Sequence, residues 1–225
     1  MSNQIIFISV HPDDETLGCG GTILKHLENG DKLFWLIITN NLNEPEIWGE
    51  ENVKLRQKEI KAVSELYNFE KVFNLNYSTT KLDLLPLGEL TQAISKVIKE
   101  IKPEILYTHN RSDIHSDHRV SFNAVMSAVK SFNNPFIRKV LMYETVSETE
   151  FSPALQENAF IPNFFVDISK YIDKKIEIMK IYESELKEHP FPRSERNIRA
   201  LASFRGAQCG SDSAEAFMLL KGIWK

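Results

Sequence analysis

The sequence predicts an α/β protein with a mostly parallel sheet flanked by helices. Three observations carry this. Short apolar runs alternate with segments of helical periodicity through the first 145 residues, as in a series of right-handed β-α-β crossovers. The first two runs, Ile5-Ile6-Phe7-Ile8 and Leu33-Phe34-Trp35-Leu36-Ile37-Ile38, are apolar at consecutive positions, as strands buried on both faces are. Ionisable residues cluster directly after strands, where ligands sit in open α/β sheets.

The elements follow in order. The first strand runs over Ile5–Val10 and ends in His11-Pro12-Asp13-Asp14-Glu15. After Thr16-Leu17-Gly18-Cys19-Gly20-Gly21, a helix is expected over Thr22–Leu27, closed by Asn29-Gly30. A dinucleotide fingerprint is excluded, because G-x-G-x-x-G would need glycine where Ile23 stands. The second strand ends at Asn40, and residues 41–49 read as a mobile loop over the mouth of a site. A helix follows over about Glu50–Tyr67, then a third strand over Val72–Tyr77. Leu90, Ile94, Val97 and Ile101 mark a helix that Pro103 ends, and Ile105–Thr108 is the fourth strand. Phe122, Val125, Met126, Val129 and Phe132 read as the stripe of the next helix, and Lys139–Tyr143 as the fifth strand. After a loop over 144–162 and a short strand at Phe164–Asp167, Ile172, Ile176, Met179, Tyr182 and Leu186 suggest one long helix. A terminal helical section is expected over Ser194–Leu220, broken near Gly206–Ser211. No repeat, low-complexity stretch or linker divides the chain, so residues 1–225 read as one Rossmann-like domain with a helical C-terminal section.

Composition narrows the function classes. A net charge of −4 provides no field that would gather nucleic acid or an anionic membrane surface. No apolar run reaches membrane-spanning length, and no export signal precedes the first strand, which points to the cytoplasm. Cys19 and Cys209 lack CxxC spacing and read as small buried residues, so any metal site must use His and carboxylate. Oligomeric state is left open, a homo-oligomer included.

Two stretches carry the chemistry. His11-Pro12-Asp13-Asp14-Glu15 follows the first strand, and His115-Ser116-Asp117-His118 follows the fourth. His11 and Asp14 can converge on one cation while Asp13 points elsewhere, because Pro12 fixes the backbone between them. With one of the two later imidazoles, His11 and Asp14 form a His/Asp/His set with an open fourth position, the arrangement of a catalytic zinc. Such an ion lowers the pKa of its water from 15.7 to roughly 7. Asp13 is then free to accept a proton, and the remaining histidine to stabilise an oxyanion or protonate a leaving amine. Spacing alone does not decide between His115 and His118 as ligand.

HPDDE after the first strand, paired with HSDH after the fourth, resembles the PIG-L/LmbE family of zinc-dependent de-N-acetylases. Arg56-x-x-Glu59, Arg205-Gly206-Ala207-Gln208-Cys209-Gly210 and Ala214-Glu215-Ala216-Phe217 also resemble that family. The resemblance implies zinc ligation by His11, Asp14 and His118, with Asp13 as general base. It makes His115 the oxyanion-stabilising residue, with Asp117 setting its tautomer and raising its pKa. Arg56 is a candidate substrate clamp, and an i,i+3 pair with Glu59 is its structural alternative; Arg111 and Arg205 are further candidates. The implied activity is removal of an N-acetyl group from an amino sugar or its conjugate, a small-molecule substrate. The rivals are an amidohydrolase of non-sugar acylated amines and a non-catalytic module binding nucleotide sugars. A His/Asp set also admits Fe2+ or Mn2+ in place of Zn2+.

Overall fold

A computed structural model describes residues 2–224. Among these, β1 (Gln4–Ser9), β2 (Lys32–Asn40), β3 (Lys71–Ser78), β4 (Ile105–His109), β5 (Lys139–Tyr143), β6 (Phe164–Asp167) and β7 (Ala214–Gly222) form one sheet. Its order is β3-β2-β1-β4-β5-β7-β6. The first five strands are mutually parallel, and β7 runs antiparallel between β5 and β6. The helices are α1 (Asp14–Glu28), α2 (Pro45–Trp48), α3 (Glu50–Leu66), α4 (Leu87–Ile101), α5 (Ser116–Ala128), α6 (Ile172–Met179) and α7 (Glu195–Cys209).

The pleat of β1 explains its unbroken apolar run. Ile5 and Phe7 join a core with residues of α1, α3, α6 and α7, while Ile6 and Ile8 join a second core with α4 and α5 on the opposite face. From β1 the chain winds outward to β2 and β3, whereas β4 lies on the other side of β1 and leads to β5. The winding direction therefore reverses between β1 and β4, and the crevice at their carboxyl ends is where such sheets bind ligands. Both sequence motifs leave the sheet at this reversal. No described helix is long and apolar enough to cross a membrane.

Several elements differ from the sequence-based expectation, each for a local reason. Helix α1 begins at Asp14, inside the motif, so the glycines lie within the helix and let it pack closely. A Cβ on Gly18 would meet the Tyr143 ring at 2.2 Å, and one on Gly21 would meet Ile168 at 2.6 Å. Residues 41–49 contain the single turn α2, initiated by Pro45. Helix α5 stops at Ala128, which leaves Phe132 past its end and exposed. Helix α6 stops at Met179; Tyr182 and Leu186 lie in turns that carry Glu183 N–H to Glu59 and Glu185 to Arg56. The expected helical close of the chain is half strand: α7 ends at Gly210 in the left-handed conformation, and residues 214–222 then form β7. Cys19 is buried as expected, whereas Cys209, in the last turn of α7, is exposed.

Candidate metal centre and active-site cleft

At the end of β1 the chain turns so that the Asp14 carboxylate folds back beneath its own loop. Its Oδ2 accepts the amides of Val10 and His11 at 3.0 and 2.8 Å. The same oxygen lies 3.4 Å from His118 Nε2 and 3.9 Å from His11 Nδ1, and the two imidazole nitrogens are 3.4 Å apart. Ligands at about 2.0 Å around a tetrahedral zinc stand roughly 3.3 Å from one another, so these donors fit a single divalent ion. Burial pushes the Asp14 carboxyl up, but His118 and His11 beside it hold it below its ordinary range. His11, Asp117 and His115 form a second set with donor atoms within 4.8 Å. That set is the poorer one, because His115 Nδ1 already accepts the Asp117 amide at 3.1 Å.

Each candidate histidine ligand has a carboxylate behind it. His118 Nδ1 lies 2.8 Å from Asp113 Oδ2, both fully buried, and Asp113 Oδ1 is held by Asn110 and Thr149. His11 Nε2 lies 3.4 Å from Asp117 Oδ2, whose carboxylate also accepts the amides of Thr80 and Leu82 at 2.6 and 3.2 Å. The hydrogen-bonded Asp113 fixes the tautomer and ring plane of His118, as such partners do for metal-binding histidines, while Asp117 faces His11 Nε2 without hydrogen-bonding it. His109, buried at the end of β4, meets the His118 carbonyl through Nε2 at 2.7 Å; burial lowers its pKa to about 3. An Asp113→Asn variant is therefore expected to bind metal about 10–100-fold more weakly with the fold intact, as read by metal titration and circular dichroism.

Asp13 occupies the rim. Its φ of 139° places a non-glycine residue in strained backbone, and the acid after next supports it. Glu15 Oε2 accepts the Asp13 amide at 3.1 Å, while Oε1 accepts the Thr16 and Tyr182 hydroxyls at 2.7 and 2.8 Å. The Asp13 carboxylate meets Arg193 at 2.9 Å. Burial, and then the neighbouring Asp14, raise the Asp13 carboxyl well above its usual range, with Arg193 opposing. A raised carboxyl pKa suits a group that must take and return a proton near neutrality.

His115 caps α5 by accepting the Asp117 amide at Nδ1, which leaves the proton of a neutral ring on Nε2. Burial, and then His11, lower its pKa to about 4. Asp117 thus sets the tautomer as expected, through its backbone amide, whereas the lowered pKa differs from the expectation of a raised imidazolium. The Asp117 carboxylate is 4.0 Å from His115 Nδ1 and faces His11 and the backbone of residues 80–82 instead.

These side chains border a cleft of about 230 Å³, whose walls include His11, Asp13, Asp14, His115, Trp48, Arg56, Glu148, Glu185 and Arg193. The family model described as GlcNAc-PI de-N-acetylase (PIG-L) matches residues 6–129, more than half of the chain and both motifs. The chain belongs to the PIG-L family. It is 26% identical to diacetylchitobiose deacetylase of Thermococcus kodakarensis over 98% of this chain and 84% of that protein. The structure of N,N'-diacetylchitobiose deacetylase from Pyrococcus horikoshii superposes with a TM-score of 0.77 at 23% identity, covering 98% of this chain and 85% of that one. GalB, the 4-carboxy-2-hydroxymuconate hydratase of Pseudomonas putida, also shares the fold, with a TM-score of 0.72 at 18% identity over 100% and 98% of the two chains. The PIG-L fold therefore carries more than one chemistry, and the residues of the cleft determine which.

The three arginines singled out in this PIG-L chain have different surroundings. Arg56 borders the cleft and pairs with Glu59 at 3.3 Å, with Glu185 at 2.5 Å and with the Pro12 carbonyl at 3.0 Å. Its clamp and ion-pair readings thus meet in one place. Arg111 donates to the Glu157 carbonyl and is not among the cleft walls. Arg205 makes a two-pronged pair with Glu144 at 2.7 Å and lines a neighbouring cavity. Asp113, Glu148, Glu185 and Arg193 were not anticipated. Asp113 stands two residues before the second motif and five before His118, and its place in the loop after β4 was the one available signal. Arg193 reaches Asp13 across 180 residues of chain, a proximity that no local pattern encodes.

Proposed function

We propose that this chain is a zinc-dependent N-deacetylase that hydrolyses the acetamide of an N-acetylated amino sugar, releasing acetate and the free amine. The observation that carries the reading is the convergence of His11 Nδ1, Asp14 Oδ2 and His118 Nε2 on one point beside Asp13 and His115. An ion held there supplies an acidified water at neutral pH and an electrophile for the amide oxygen. Asp13 takes the proton of the attacking water and delivers it to the departing nitrogen. Arg193 and the Glu15-bound backbone keep the Asp13 carboxylate in one orientation for both transfers. His115, with its proton on Nε2, donates a hydrogen bond to the oxygen on which negative charge develops. Asp113 holds the ring of His118, and the Asp117 carboxylate lies beside that of His11.

Belonging to the PIG-L family and the likeness to a diacetylchitobiose deacetylase support the amide of an amino sugar as the bond that is cut. The test is acetate release from N-acetylated amino sugars by the purified protein, before and after chelation and on return of zinc, iron or manganese. Release that chelation abolishes and zinc restores is expected. Turnover indifferent to chelation, or confined to acylated amines without a sugar, contradicts the proposal.

A further inference from the structure

The cleft offers a substrate few charges and several neutral hydrogen-bonding groups. Both cleft arginines are already neutralised within the chain. Glu185 bridges Arg56 at 2.5 Å and Arg193 at 3.0 Å, Glu59 adds to Arg56, and Asp13 adds to Arg193. Glu148, a cleft carboxyl group besides Asp13, Asp14 and Glu185, accepts the His115 amide at 3.2 Å and pairs with no Lys or Arg among the described residues. Besides His11 Nε2, which faces Asp117, four atoms of cleft residues are buried and without a hydrogen-bond partner among the described residues: Asn41 Oδ1, Thr145 Oγ1, Ser147 Oγ and Arg193 Nε. Two are hydroxyls, one is an amide oxygen and one is the spare N–H of a neutralised guanidinium. Such unmatched groups cost free energy until a ligand pairs them. Ser147 holds its hydroxyl there from a backbone φ of 78°, a strain typical of residues placed for a ligand. Trp48, partly exposed at the same cleft, supplies an apolar face.

Resting on the deacetylase reading, we propose that the cleft selects a neutral N-acetylated glycoside and discriminates against one bearing a phosphate or carboxylate. Sugar hydroxyls both donate and accept, so they match Asn41, Thr145, Ser147 and Arg193 without disturbing any ion pair. Away from the ion site, an anionic substituent finds no unpaired Lys or Arg side chain among the described cleft residues. To gain one it must displace Glu185 from both arginines, which strands a partly buried carboxylate, and it must also approach Glu148. The family description names GlcNAc-PI, a phosphate-bearing conjugate, and the name of one relative a neutral disaccharide, so the charge of the substrate is a choice that family membership leaves open.

Two compounds that differ in this charge decide the matter: methyl N-acetyl-α-D-glucosaminide and N-acetyl-α-D-glucosamine 1-phosphate. Acetate release by the zinc-loaded protein gives kcat/KM for each. Calorimetry on the chelated protein gives affinity without turnover and without phosphate binding to the ion. At least about 10-fold preference for the neutral compound is expected in both assays, carried by KM in the first. A Glu148→Gln variant is expected to bind the phosphate at least 3-fold more tightly and so to narrow the gap. Equal affinities, a preference for the phosphate, or no binding of either compound overturns the proposal. Selective binding of the neutral compound with no acetate from either supports the charge preference and overturns the deacetylase reading instead.

Discussion

Asp13→Asn is expected to lower turnover by about 10²–10⁴-fold, the usual contribution of a positioned general base, with metal content unchanged. Asparagine keeps the shape of the side chain, tolerates positive φ better than most residues and can still accept the Arg193 hydrogen bond, but it takes no proton. The three donors that converge do not include Asp13, so ion binding survives. Turnover assays beside metal analysis check this. A variant retaining wild-type turnover contradicts the base assignment, and one that loses both metal and turnover shows that Asp13 serves the ion and not the proton.

The largest stability effect is expected outside the candidate metal set, at Lys175 and Glu215. Both are buried and their charged atoms lie 2.7 Å apart. Lys175 Nζ also reaches the Leu17 carbonyl at 2.8 Å, and the Glu215 carboxylate accepts the amides of Gly21 and Thr22 at 2.9 and 2.7 Å. The pair thus ties α6 and β7 to α1, the helix that begins with Asp14. Glu215→Ala leaves a buried ammonium with one carbonyl for company and is expected to cost about 3–5 kcal/mol in denaturant unfolding. The double variant Lys175→Met/Glu215→Gln is expected to recover part of that loss, because neither charge is then stranded. Additive losses in the double variant contradict a coupled pair.

Local pattern carried a large part of this molecule. The apolar runs of β1, β2 and β4 and the stripe of α4 announce themselves because each is buried by its own periodicity. His11, Asp14, His115 and His118 were legible because two short motifs each leave a strand's carboxyl end, and the sheet's reversal between β1 and β4 brings those ends together. Strand β7 was not legible. Ala214-Glu215-Ala216-Phe217-Met218-Leu219-Leu220 is rich in helix formers, and tertiary pairing on both edges with β5 and β6 overrides that preference. The environment of His115 was misread for a similar reason. Asp117 stands two residues away in sequence, yet the first turn of α5 aims its carboxylate at His11 and the 80–82 backbone. Arg193 and Glu185 come from the far end of the chain, and only the turns after α6 bring them to the cleft.

Metal stoichiometry measures the central claim most directly. Wild-type protein, stripped by chelation and titrated with zinc, is expected to bind one ion per chain at the His11/Asp14/His118 set. His118→Ala and Asp14→Ala are expected to lose that ion, and His115→Ala to keep it. Undiminished binding in the first two variants, or loss in the third, would contradict a site built from His11, Asp14 and His118.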